Sequence, residues 1–183
     1  MSYAEVHRMK NLNITKIFTR LDSISNLSKL SEENRAIFKE VYNELNKNPR
    51  FRMIGEYTAH GTTSLMTHVT KTTLLALNIS EKFNIQVDKY QLVRGALLHD
   101  FYLYDWHEKK LEELHGFNHP KKALMEALKD YELTDIEKDI ISHHMFPFTY
   151  NAPRSKEAKI LCIADKLTAW GEMVDSKVNN VGV

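Results

Sequence analysis

The chain has 183 residues, enough for one domain with a real core or for one domain plus a helical extension. Its 25 basic and 24 acidic residues nearly cancel, to a formal net charge of +1, which leaves no electrostatic footprint for a nucleic-acid duplex or an acidic membrane. A lone cysteine, Cys162, excludes an internal disulfide.

Cys162 sits in the apolar run Ile160-Leu161-Cys162-Ile163 and reads as a small core residue in a reducing compartment. No apolar run reaches the length of a membrane span, and Met1–Glu5 lacks the charged and apolar regions of a signal peptide, so a cytoplasmic protein is expected. Six glycines and four prolines are few and suit a mostly helical chain.

Residues 11–30 space Leu12, Ile14, Ile17, Phe18, Leu21 and Ile24 as a first amphipathic helix would. Ser31 is a candidate N-cap for a second, with Ile37, Phe38, Val41, Tyr42 and Leu45 facing inward and Asn48-Pro49 as its end. The two are expected to be N-terminal helices, residues 1–50, packed on the core of the chemistry-bearing part, residues 51–183, the whole forming a single globular domain. Residues 50–63 read as irregular, with His60 before Gly61 as a turn residue first and a pocket-lining residue second. Thr63 or Ser64 then caps a helix running to about Phe83, whose stripe is Leu65, Val69, Thr72, Ala76, Ile79 and Phe83, with His68 at its edge. Asp88 caps the next helix, which ends in His99-Asp100.

Residues 101–118 are aromatic and polar and read as a long loop, with a short helix at 107–114 as an option. His119-Pro120 is expected to open a helix with Ala123, Leu124, Ala127, Leu128 and Tyr131 inward. Thr134-Asp135-Ile136-Glu137 is a capping box, and the helix it starts ends at His143-His144-Met145-Phe146-Pro147. Ser155 caps the last helix, in which Ala158, Leu161 and Asp165 fall on one line. The tail after Asp175 is expected to fray.

The chemistry lies where polar residues continue apolar faces. In Arg94-Gly95-Ala96-Leu97-Leu98-His99-Asp100, His99 follows the line of Leu92 and Ala96, and Asp100 follows that of Val93 and Leu97. A buried, unpaired carboxylate costs several kcal/mol or loses its charge, so a cation must compensate Asp100. Arg94 lies on another side of the helix. A divalent metal ion answers the need, and His99 is the usual nitrogen ligand for one. Taken singly, a helical histidine is more often a structural residue than a ligand. His68, His99, His119, His143 and His144, together with Asp100 and Asp165, need a shared solution, and a metal cluster provides it.

The order His68, His99-Asp100, Asp165 resembles the H…HD…D signature of the HD-domain metal-dependent phosphohydrolase superfamily, over roughly residues 60–170. His119-Pro120 and His143-His144 resemble the extra ligands of its binuclear branch. His60-Gly61, Tyr104-Asp105-Trp106-His107 and His115-Gly116-Phe117-Asn118-His119-Pro120 are similar to stretches in small bacterial HD-domain proteins of unassigned substrate. The chain departs from the cyclic-dinucleotide phosphodiesterases called HD-GYP, because Met145-Phe146-Pro147 stands where Gly-Tyr-Pro is characteristic.

The resemblance implies an all-α, HD-domain-like helical bundle. It implies that His68, His99, Asp100 and Asp165 hold a first metal, and that Asp100 bridges to a second held by His119, His143 and His144. This donor set suits Fe, Mn, Zn, Co or Ni and does not choose among them. The implied reaction is hydrolysis of a phosphomonoester or phosphodiester, of nucleotide type, by a metal-activated water, with His99 and Asp100 as catalytic metal ligands. Lys166, beside Asp165, ranks first among the candidate phosphate-binding cations, ahead of Arg94, Lys121 and Lys122. The expected partner is therefore a small phosphorylated substrate, with no nucleic-acid duplex and no membrane, and a homodimer stays open. The ligand pattern alone also admits a di-iron oxygenase or a non-catalytic nucleotide-sensing module.

Overall fold

Local capping signals decide where most helices begin. In the computed structural model, residues 29–60, 62–103 and 112–180 are described, with 112–117 and 177–180 described by their backbone alone. Residues 11–28 of the predicted first helix and 104–111 of the aromatic loop lie outside the described residues. Seven α-helices and one short 3-10 turn make up the regular structure there: α1 Glu32–Leu45, α2 Pro49–Met53, the 3-10 turn Ile54–Glu56, α3 Leu65–Lys82, α4 Lys89–Leu98, α5 Glu112–Asp130, α6 Asp135–His143 and α7 Lys156–Asn180. The only strand-like feature among the described residues is a single bridge between Thr58 and Ser64. No helix there is long and apolar enough to cross a membrane.

Ser31, Ser64, Asp88 and Thr134 each accept a hydrogen bond from a backbone N–H three residues on, as N-caps do. Thr134 and Glu137 form the reciprocal capping box. Ser155 does the same for α7, its hydroxyl accepting from the N–H of Ala158 at 3.1 Å.

Four boundaries differ from the sequence expectation. Asn48-Pro49 follows the end of α1 and also opens α2, because asparagine is a good cap and proline suits a first helical position. His119-Pro120 lies inside α5, which has already started at Glu112. Pro120 there leaves the Gly116 carbonyl without its usual helical donor. Phe83 is 67% exposed, because α3 has ended and Asn84, at φ 50°, turns the chain away from the core. Helix α7 continues to Asn180 instead of fraying after Asp175.

Helices α3, α4, α6 and α7 close a ring, each packed on two of the others, with α1 laid against α4 and α5 against α6. The ring is filled by fully buried Leu65, Val69, Leu77, Leu92, Leu97, Ile140 and Leu161, each contributing about 1.5–3 kcal/mol by leaving water. On α5 the buried face is His119, Ala123 and Ala127, at intervals of four, which leaves Leu128 about half exposed. Arg94 is drawn to this scaffold. It donates to both oxygens of buried Glu137, at 2.9 and 3.0 Å, and to the Glu132 carbonyl at 3.1 Å. It therefore braces α4 against α6.

Gly95 sets the distance between those two helices. A Cβ there would lie 2.6 Å from Ile140 Cδ1 and 3.1 Å from Ile140 Cβ. Gly95→Ala is therefore expected to destabilise by about 1–3 kcal/mol in urea unfolding, although alanine is the better helix former. The double variant with Ile140→Ala should lose less than the sum of the two single losses, a non-additivity that separates the steric clash from any propensity effect. A more stable Gly95→Ala protein would contradict the close approach.

Candidate metal centre

Five separate segments each deliver part of one polar group to the inside of the helical ring. His68 comes from the first turn of α3, His99 and Asp100 follow directly on α4, His119 comes from the buried face of α5, His144 caps the C-terminus of α6, and Asp165 lies on α7. His68 and His99 are 0% exposed, Asp100, His119 and Asp165 6%, and His144 1%.

The side chains fall into two sets about Asp100. Its Oδ2 faces His68 Nε2 at 3.8 Å and His99 Nε2 at 3.7 Å. Asp165 Oδ1 completes that set, 3.1 Å from His68 Nε2 and 3.6 Å from His99 Nε2. Asp100 Oδ1 faces the other way, 3.3 Å from both His119 Nε2 and His144 Nε2, which are 2.8 Å from each other. Two ligands about 2.1 Å from one cation lie about 3.0–3.4 Å apart at right-angle to tetrahedral geometry. Both sets lie near that spacing.

The hydrogen bonds on the far sides of the rings make the case for a cation. His99 Nδ1 donates to the Ala96 carbonyl at 2.7 Å, and His144 Nδ1 donates to the Ile141 carbonyl at 2.8 Å. In a neutral ring that commitment puts the proton on Nδ1 and leaves Nε2 as a bare lone pair. For His99 that lone pair points at carboxylate oxygens, which repel it, whereas His144 Nε2 faces Asp100 Oδ1 at 3.3 Å and is in hydrogen-bond contact with His119 Nε2 at 2.8 Å. Buried His99 Nε2 and Asp100 Oδ1 accordingly have no hydrogen-bond partner. The donor set therefore fits a divalent cation, which would turn these repulsions into bonds.

Electrostatics agree with this arrangement. Burial alone would raise Asp100, but His99, His119 and His144 hold it well below the usual carboxylate range. Burial likewise opposes ionised Asp165, and His68 and His99 outweigh it. Burial would lower His68, but Asp165 and Glu172 push it up to about 10. Burial holds His144 below its ordinary value. The carboxylates stay charged, and in the protein alone protonated imidazole, with the Lys166 ammonium 3.9 Å from Asp165 Oδ2, compensates them.

Of two further residues near the site, Glu172 escapes the sequence reading, and His60 reads there first as a turn residue and second as a pocket residue. Glu172, 4% exposed, accepts from His68 Nδ1 at 2.9 Å and so directs Nε2 toward the group. It follows Asp165 by two turns on the same face of α7, a heptad spacing that could have found it. His60, read as a turn residue, packs its ring against His68 with centroids 5.2 Å apart, and with His68 and Glu172 it forms a third close set of possible ligand atoms.

His143 goes elsewhere. Its Nδ1 donates to Asp139 Oδ1 at 2.7 Å, and Asp139 also accepts from the Ser155 hydroxyl and N–H, both at 2.7 Å. The structure thus brings His144, and not its neighbour, to Asp100. Successive residues at a helix end point about 100° apart, so only one of the pair can face the ring. Lys166 lies at the edge of the group. Its Nζ donates to the His144 carbonyl at 2.6 Å and stands 3.9 Å from Asp165 Oδ2. Arg94 is held by Glu137, and Lys121 lines a separate surface depression.

A cavity of about 430 Å³ opens over Asp100, His119, His144 and Asp165, with Lys166 and His60 on its walls. A search of curated proteins and a search of solved structures each returned no match. A family model described as HD domain matches residues 65–170, a span that contains His68, His99, Asp100, His119, His144 and Asp165. Helices and two-sided cluster together accord with that match, and the chain belongs to the HD-domain family of the metal-dependent phosphohydrolase superfamily.

Proposed function

We propose that the chain is a metal-dependent phosphohydrolase acting on a phosphomonoester or phosphodiester, with a small phosphorylated compound such as a nucleotide as substrate. One observation carries the reading: the two oxygens of buried Asp100 serve opposite sets, Oδ2 facing His68 and His99 and Oδ1 facing His119 and His144. A bridging carboxylate is the natural device for keeping two cations adjacent. On this reading His68, His99, Asp165 and Asp100 would hold one cation, and His119, His144 and Asp100 would hold the other.

Divalent cations bound there supply Lewis acidity, lowering the pKa of a water and drawing charge from a phosphoryl oxygen. The protein's own groups supply placement. The carbonyls of Ala96 and Ile141 and the carboxylate of Glu172 lock three of the imidazoles with Nε2 inward. Lys166 puts a positive charge on the cavity wall, where entering phosphoryl oxygens need one. Hydrolysis exchanges the ester P–O bond for a bond to the water oxygen, and the released alcohol carries away one proton of that water.

Protein purified without chelators, assayed for metal content and then for release of phosphate or alcohol from a panel of phosphoesters, tests the proposal. Turnover that is lost on chelation and restored by metal is expected. Oxygen uptake with no phosphoester turnover would shift the assignment to the oxygenase reading.

Asp100→Ala should lose all turnover and most bound metal. His144→Ala should lose the second metal while keeping the first, whereas His143→Ala should keep both. Metal analysis of the three variants separates the two adjacent histidines. Glu172→Gln, which keeps shape but loses charge, should weaken metal binding by roughly 10–100-fold in a competition titration against a chromogenic chelator. Lys166→Met should lower kcat/KM by about 10²-fold with metal content unchanged. Unaltered kinetics in that variant would remove Lys166 from the phosphate-binding role.

A further inference from the structure

The cavity beside the candidate metal centre has two unlike ends. Its floor is polar: Asp100, His119, His144 and Asp165, with Lys166 at the edge. Its outer wall is apolar: Met145 and Phe148 from the segment after α6, and Ala169, Trp170 and Met173 from α7. The change happens along one helix. Asp165, Ala169 and Met173 follow each other at intervals of four, so they share a face of α7. The eight steps from Asp165 to Met173 rise about 12 Å, so that face leads from the carboxylate at the floor to the rim.

Ala169 keeps the middle of this track open, and the larger Trp170 and Met173 stand beyond it. Phe148 is 64% exposed, and Trp170 and Met173 are each 44% exposed. Large apolar side chains gathered around the mouth of a cavity, and left partly in water, mark a ligand-binding groove. Among the described residues Lys166 is the one lysine or arginine on the lining. Its Nζ also lies 5.9 Å from the centre of the Phe148 ring, at the point where the polar floor meets the apolar wall.

Resting on the phosphohydrolase reading, we infer that the preferred substrate is an ester of a single phosphoryl group with a large apolar or aromatic alcohol, the phosphoryl group on the Asp100 floor and the organic body against Phe148, Trp170 and Met173. A polyphosphate would place its second and third charges along this apolar wall, where they would lose hydration with little in return. An apolar body gains by covering exposed side chains.

Binding can be read without turnover. Metal-loaded protein is titrated with 2-naphthylmethylphosphonate, with methylphosphonate and with inorganic triphosphate. The naphthyl compound is expected to bind at least about tenfold more tightly than methylphosphonate, and triphosphate is expected to gain nothing over it. Trp170→Ala and Met173→Ala should each erode the naphthyl preference with metal content intact, while Ile163→Ala, an exposed α7 position outside the cavity lining, should leave it unchanged. Equal affinities for the two phosphonates, or tighter binding of triphosphate, would overturn the inference. The parallel hydrolysis of 2-naphthylmethyl phosphate and ethyl phosphate, both esters of primary alcohols, keeps the two claims apart. A naphthyl binding preference with neither ester hydrolysed would sink the hydrolase reading alone, whereas hydrolysis of both without a preference would sink the substrate class alone.

Discussion

The arrangement depends on imidazole lone pairs aimed at carboxylate oxygens inside a helical ring. Ala96 and Ile141 offer carbonyls to the outer nitrogens of His99 and His144, and this turns the inner nitrogens toward Asp100 and Asp165. Such contacts repel unless a positive charge lies among them. Proteins keep buried polar groups satisfied, and here two atoms of the convergent group, His99 Nε2 and Asp100 Oδ1, are among the buried atoms left without a hydrogen-bond partner. Asp100 and Asp165 stay ionised against burial because the imidazoles around them, once protonated, favour charge on them.

The fold supplies this convergence cheaply, because each contributing helix needs only one or two residues at the right height. His68 starts α3, His99 ends α4, His144 ends α6, and Asp165 and Glu172 share a face of α7. Helix ends can be re-aimed by a turn without loss of packed area, so two such residues, His99 and His144, use carbonyls of their own last turns as anchors. The apolar packing around them is tight enough that Gly95 has no room for a Cβ against Ile140. The Arg94–Glu137 pair ties the same two helices together close by. Rigidity at the α4–α6 seam holds His99, Asp100 and His144 in register.

Much of this was legible in the residues alone, for reasons that can be named. Caps are local, so Ser31, Ser64, Asp88, Thr134 and Ser155 could be read directly. A polar residue continuing an apolar line is also visible in sequence, which is how His99, Asp100 and Asp165 stood out. The choice between His143 and His144 was not legible. It turns on the phase of one helix end, and on Asp139 holding His143 beside the start of α7. Glu172 was missed because a single glutamate on a long helix looks solvated until its partner, His68, is placed opposite it in space. The start of α5 was misplaced because proline suits a first turn, whereas here it sits in mid-helix. His60 depends on a loop folding back over α3, which no periodicity encodes.

The most direct measurement is anomalous diffraction at the absorption edge of whichever metal the protein carries when purified without chelators. Two peaks are expected, one within bonding reach of His68, His99 and Asp165 and the other within reach of His119 and His144, with the Asp100 carboxylate between them and one oxygen toward each. A fully occupied metal bound by His143 and Asp139, or an Asp100 carboxylate turned away from both peaks, would contradict the bridging role on which the rest is built.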